Sequence, residues 1–225
     1  MNTFKIGTAS IDITPPLGTP LCGYAKRTEG NSGVLDNLFC KVLVINVGSK
    51  LAVLVCCDLI GLDNEFIVEV RVAAENKFNL EYNGIMISCT HTHSGPATMR
   101  NIGIGEKNYN YLNELHSKIL DTIDKAINSL QNSECFYYKG KSDIGMNRRG
   151  IIEEGNIEPT FDPEGFVDDE VSILVFYKEK SKDIISILYN YGCHPTVLEY
   201  TNNFISADFP GAACRFIEEK FNINI

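Results

Sequence analysis

Apolar and polar positions along this chain switch between two periods, and the switches mark its elements. Phe4 to Ile13 mixes β-branched and small residues and stops at Thr14-Pro15-Pro16, which predicts a strand running into a stiff turn. Cys40 to Val47 and Leu51 to Cys57 are almost continuously apolar and are joined by Gly48-Ser49-Lys50, so a hairpin buried on two faces is expected. From Asp63 or Asn64 the period lengthens. Phe66, Ile67, Val70, Ala73 and Ala74 fall on one side of a helix ending near Phe78. Gly84 to Ser88 predicts a short buried strand. Tyr111 to Leu130 gives the clearest helix, with Leu112, Leu115, Ile119, Ile123, Ala126, Ile127 and Leu130 in one stripe. Glu134 to Tyr138, Val171 to Tyr177 and Ile184 to Tyr191 read as further strands, the last two parted by a charged turn, and a final helix is expected from about Ala212 to Phe221.

Two stretches lack either period. Leu17 to Leu35 is rich in Gly, Pro and charge and reads as a long surface loop, the kind that serves sites. Ser142 to Gly165 reads as irregular. Strands that alternate with helices but include hairpins predict an α/β fold. The expectation is a mixed β-sheet flanked by helices, with long site-forming loops at strand ends, in a single domain over residues 1–225.

Composition narrows the setting. The chain has 225 residues, 44% of them hydrophobic, which suffices for a sizeable core. A net charge of −9 argues against nucleic acid and anionic membrane surfaces as partners. No apolar run approaches the ~18 residues of a membrane span. Met1 to Pro16 shows no basic start followed by an apolar core, so nothing there marks export, and a cytoplasmic location is expected. Eight cysteines include no CxxC pair. Cys40, Cys56, Cys57, Cys89 and Cys193 lie in or beside apolar runs, where a thiol packs as a small hydrophobe. A reducing compartment is the simpler setting, and a cysteine-rich zinc site is disfavoured.

The chemistry concentrates at Ile85 to Met99. An apolar run gives way to small and polar residues, His91 and His93 follow within three positions, and Gly95-Pro96 breaks any regular continuation. This is the C-terminal end of a strand, where ligand and catalytic groups collect in sheets with helical crossovers. If the strand ran on to His93, both imidazoles would point the same way. They could ligate one metal together, or one could ligate while the other works on substrate; a polar turn with two solvated histidines stands beside both readings. A second strand end carries His194, in Gly192 to Thr196, and a third carries Asp58. Neutral imidazole is a good zinc ligand, and a catalytic zinc keeps about three protein ligands and one open position. The bland alternatives are a satisfied loop histidine for His194, a bracing carboxylate for Asp58 and a solvated Arg148-Arg149 pair. His116 borders the stripe of the long helix and reads as a helix-surface histidine.

Thr90 to Pro96, THTHSGP, resembles the zinc-site motif of the neutral/alkaline (non-lysosomal) ceramidase family. Gly7, Ala9 and Asp12 to Pro16 look like that family's N-terminal signature, and Cys22-Gly23-Tyr24 like its following Gly-Tyr turn. The strand ending at Asp58, the pair Asn147-Arg148, the loop around His194 and Asp208 to Gly211 are each similar to later family segments in the same order. The resemblance implies a zinc-dependent amidohydrolase that cleaves an N-acyl amide, ceramide or a related lipid, with zinc-activated water. It implies His91 and His194 as zinc ligands, with Asp58 as a further candidate, and His93 and Arg148 as catalytic groups. Gly23, Tyr24 and Asp208 would then bind substrate.

The chain also departs from the pattern. Family catalytic domains are much longer, and their downstream Glu and Tyr zinc ligands have no counterpart here, so the chain reads as the N-terminal half of such a domain. Two other readings stay open: a non-catalytic binding domain of the same fold, and a metal-dependent hydrolase of another ester or amide. Homo-oligomerisation is also left open.

Overall fold

The computed structural model describes residues 4–25, 27, 29–100, 106–151 and 157–223. Its strands are Phe4–Asp12 (β1), Gly33–Val34 (β2), Phe39–Val47 (β3), Lys50–Cys57 (β4), Ile85–Cys89 (β5), Gln131–Lys141 (β6), Asn147–Ile151 (β7), Ile157–Asp162 (β8), Glu170–Lys178 (β9), Ile184–Tyr191 (β10) and Phe204–Ile205 (β11). The helices are Asn64–Phe78 (α1), Tyr109–Asn128 (α2) and Asp208–Phe221 (α3). Seven strands form one sheet in the order β10-β9-β6-β1-β3-β4-β5. Within this sheet, among the described residues, only the β4–β5 pair is parallel, joined by the crossover through α1. The expected mixed sheet with helical flanks is what the chain builds.

The β3–β4 hairpin lies at the centre because its alternation is apolar both ways. On one face Cys40, Val42, Val44, Val53, Val55 and Cys57 are buried against the α2 stripe of Leu112, Leu115, Ile119, Ile123 and Ala126. Each such side chain removed from water contributes about 1.5–3 kcal/mol. α1 adds Phe66, Val70 and Ala74 to the same core. On the other face the sheet comes back over itself. β1 and β6 are joined only through Lys5–Asn132 and Ile6–Gln131, and β6 then continues along β9. This lets Phe176 of β9 and Ile185 of β10 pack on Ile6 and Leu43, a second and smaller core. α3 closes the remaining gap, with Lys41 of β3 paired to Glu218 and Tyr189 of β10 donating to the Pro210 carbonyl.

Three expectations change. Leu17 to Leu35 is a surface loop only in part: Leu17, Val34 and Leu35 are exposed, but Thr19, Leu21, Cys22 and Asn31 are buried, and Leu21 bridges to Pro96. The Asn31 amide donates to the Pro16 carbonyl, and β2 pairs with β11, so the stretch is tied down by backbone rather than by an apolar period. The stretch from Ser142 contains a hairpin, β7–β8, whose Arg, Glu and Pro content masks its strand character; residues 152–156 lie outside those described. α3 begins at Asp208 instead of near Ala212, because Pro210 in the first turn gives up no helical hydrogen bond. No disulfide bond joins any of the eight cysteines.

Candidate metal centre

β5 stops at Cys89, and His91 takes a left-handed conformation, φ 69°, so strand alternation does not reach His93. The two imidazoles nevertheless share one space, their ring centroids 5.1 Å apart. The cause lies in the residues between and after them. Thr92 and Ser94 are fully buried, Thr92 Oγ1 donating to the Ser206 carbonyl at 2.7 Å and the Ser206 amide donating to the Ser94 carbonyl. With the hydroxyl residues anchored inward, His91 and His93 are left facing out.

His194, on the loop after β10, completes the group. It stands 4.8 Å from His91 and 4.7 Å from His93, centroid to centroid. One ligand nitrogen from each of the three lies within 4.8 Å of the others. The Nδ1 of His91 sits 2.6 Å from the Ile60 carbonyl, so Nδ1 carries the proton and Nε2 presents a lone pair. The Nε2 atoms of His93 and His194 are 2.8 Å apart, a separation that requires a positive hydrogen between two ring nitrogens. Arg148 Nη2, on β7, lies 3.4 Å from His194 Nδ1. An arginine can only donate, so His194 Nδ1 is the acceptor in that contact and Nε2 is the nitrogen that faces the group. Burial and the neighbouring imidazoles push His93 down to about 4, and burial with the Arg148 guanidinium holds His194 below its ordinary range. Both rings are therefore neutral at pH 7, the form that binds metal. Nδ1 of His93 is buried with no hydrogen-bond partner. Three imidazoles converging from two loops suit zinc and other borderline divalent ions.

The other expected residues surround this centre in different roles. Gly23 backs His93: its φ is +108°, and a Cβ there would fall 2.6 Å from the imidazole. Tyr24 lays its ring edge-on to His93 and donates through its hydroxyl to the Leu198 carbonyl. Asp208, expected to bind substrate, braces the fold. It is buried at the start of α3, and its carboxylate accepts the amides of Val197, Leu198 and Phe209. Asp58, a further ligand candidate, braces the fold in the same way. It accepts the Phe39 amide at 2.9 Å and is absent from the histidine group among the described residues. Burial raises its pKa to about 6. His116 is half-buried on α2 against the edge of Phe66.

Two residues escaped the sequence reading. Asp36 accepts from Ser206 Oγ, the Ala207 amide and Arg215, and so holds the segment that anchors Thr92. Arg27 reaches the His93 carbonyl from the loop before β2. Neither belongs to a local motif; only the charges inside an apparent loop could have flagged them.

Comparison with known proteins agrees with this architecture. The family model described as neutral/alkaline non-lysosomal ceramidase, N-terminal, matches residues 4–225. The neutral ceramidase of Oryza sativa subsp. japonica is 26% identical over 96% of this chain and 29% of its own length. That of Pseudomonas aeruginosa is 24% identical over 93% of this chain and 33% of its own. A solved ceramidase complexed with C2 superposes with a TM-score of 0.84 at 21% identity, covering 98% of this chain and 36% of that one. The neutral ceramidase structure from P. aeruginosa gives 0.80. The chain thus spans about a third of the length of the curated relatives it matches.

Proposed function

The chain belongs to the neutral/alkaline non-lysosomal ceramidase family, and from that premise we propose that it supplies the N-terminal share of a zinc-dependent amidohydrolase acting on an N-acyl lipid of the ceramide type. The observation that carries the reading is the convergence of His91, His93 and His194. His91 and His194 would hold the ion, His91 through the nitrogen that the Ile60 carbonyl leaves free. Zinc bound there supplies an ionised water near neutral pH and polarises the amide carbonyl.

The chain's own residues do the rest. His93, neutral and half-buried, keeps a ring nitrogen beside the reacting amide to hold or pass a proton. Arg148 carries a fixed positive charge at the rim, where a developing oxyanion gains most from it. Gly23 keeps the wall behind His93 free of a side chain, and Asp208 fixes the loop that follows His194. Exposed Met146 and Val197, neighbours in sequence of Arg148 and His194, offer apolar surface for a lipid chain.

The test is metal content and hydrolysis. After dialysis against zinc and removal of the excess, the 225-residue chain is expected to retain about one zinc, lost in His91→Ala and in His194→Ala. Retention of zinc by both variants would overturn the ligand assignment. Hydrolysis of a short-chain ceramide, lost in Arg148→Ala with zinc still bound, would place the arginine on the substrate rather than on the fold.

A further inference from the structure

Arg27 lies outside every motif that marked the site, yet its guanidinium reaches three separate stretches of chain. Nη1 donates to the carbonyls of Cys22 and His93, Nη2 to Glu199 at 3.1 Å, and Nε to Tyr200 at 3.4 Å. Cys22 opens the Gly-Tyr turn, His93 is in the histidine motif, and Glu199 and Tyr200 belong to the loop that follows His194. The plane of the guanidinium also stacks on Tyr24, 4.8 Å from its centroid, and Tyr24 in turn touches His93 and the Leu198 carbonyl. No acidic side chain is among these partners. A half-buried cation that spends its donors on backbone carbonyls is held by geometry rather than by charge pairing, and only a planar fork with several N–H groups can do this.

We infer that Arg27 is a positioning residue for the metal centre: its fork ties the His93 backbone to the His194 loop and so sets the distance between the imidazoles. The inference rests on the metal-site reading given above. A lysine at this position would keep the charge but could not span the four carbonyls. Outer partners that orient ligands typically carry about 10–100-fold of metal affinity.

The test compares Arg27→Ala, Arg27→Lys and Ile123→Val with the unaltered 225-residue chain. Zinc affinity is read by competition with a chromophoric chelator. Imidazole nitrogen signals are read by two-dimensional NMR without metal, and melting temperature is recorded for each protein. Both Arg27 variants are expected to bind zinc about 10–100-fold more weakly and to shift the His93 and His194 signals. Ile123→Val should lower the melting temperature while leaving zinc affinity and those signals in place. Unchanged affinity and unmoved signals in Arg27→Ala would overturn the inference, as would full rescue by lysine, which would assign the effect to charge. If the unaltered chain binds no zinc, the metal reading fails, and the metal-free NMR spectra still decide whether Arg27 positions His93. Should Arg27→Ala not fold, Arg27→Lys carries the same two readouts.

Discussion

The two faces of the β3–β4 hairpin are built from the same strands and do different work. The helical face is a deep apolar layer in which Val44, Val55, Ile119 and Ile123 are wholly buried. The opposite face is thinner and mixed. Leu43 and Ile185 retain slight exposure, Ile45 and Leu54 are only partly buried, and Lys41, Glu218 and Tyr189 bring polar groups into the packing. The imidazole centre draws from both sides: His91 and His93 follow β5, which is fixed to the helical layer, whereas His194 follows β10, one of the strands that fold back, and Arg148 stands on the separate β7–β8 hairpin. The deep face therefore holds the fold, and the thin face decides whether the site closes.

The strongest way to break this contrast is to cut the deep face. Ile123→Ala is expected to lose about 2–5 kcal/mol, with zinc binding and secondary structure lost in one urea transition. Ile185→Ala, on the thin face, should fall at the low end, about 2 kcal/mol. Its hydrogen exchange should accelerate across β9 and β10 while β3 and β4 stay protected. Equal acceleration in all four strands would mean that the faces are one cooperative unit.

Asp58 tests the polar border between the faces. Its folded-state pKa of about 6 lies above that of an exposed carboxyl, near 3.9, so the native protein keeps a proton that the unfolded chain releases. Stability from this group is full below about pH 4 and is lost as the pH rises through about 6. Asp58→Asn retains an oxygen for the Phe39 amide without a buried charge. It should flatten that fall and gain roughly 2 kcal/mol at pH 7, read from urea melts at several pH values. Gly23→Ala acts on the site itself. A left-handed alanine costs on the order of 1–3 kcal/mol, and its Cβ would push on His93, so zinc affinity should fall further than the melting temperature suggests. The smallest effect belongs to Lys139→Ala, which breaks an exposed ion pair with Glu170 on β6 and β9. No change in melting temperature is expected there.

Much of this was legible in the chain because apolar period survives folding. The α2 stripe, the β3–β4 hairpin and β10 were readable from local pattern alone, His91, His93 and His194 stood at strand ends, and Arg148, inside a stretch read as irregular, was flagged only by the resemblance. The resemblance in THTHSGP joined histidines that spacing alone could not. What stayed hidden was made by backbone. Arg27 binds carbonyls up to 173 residues away, and Asp208 turns its carboxylate to amides of the preceding loop. Such contacts leave no periodic trace. The Leu17 to Leu35 stretch is partly buried for the same reason, its amides bonded to the distant carbonyls of Gly95, Asn203 and Ile205.

His93 and His194 touch across 101 positions of sequence. A chain emerging in order presents the first two imidazoles long before the third, and the third arrives only after the last hairpin has folded over β3 and β4. Metal held by His91 and His194 would therefore stabilise only molecules that have finished this step, and its binding energy would be added to the folding equilibrium. With metal bound, the centre would then act as a late latch, withheld from partly folded chains by topology alone.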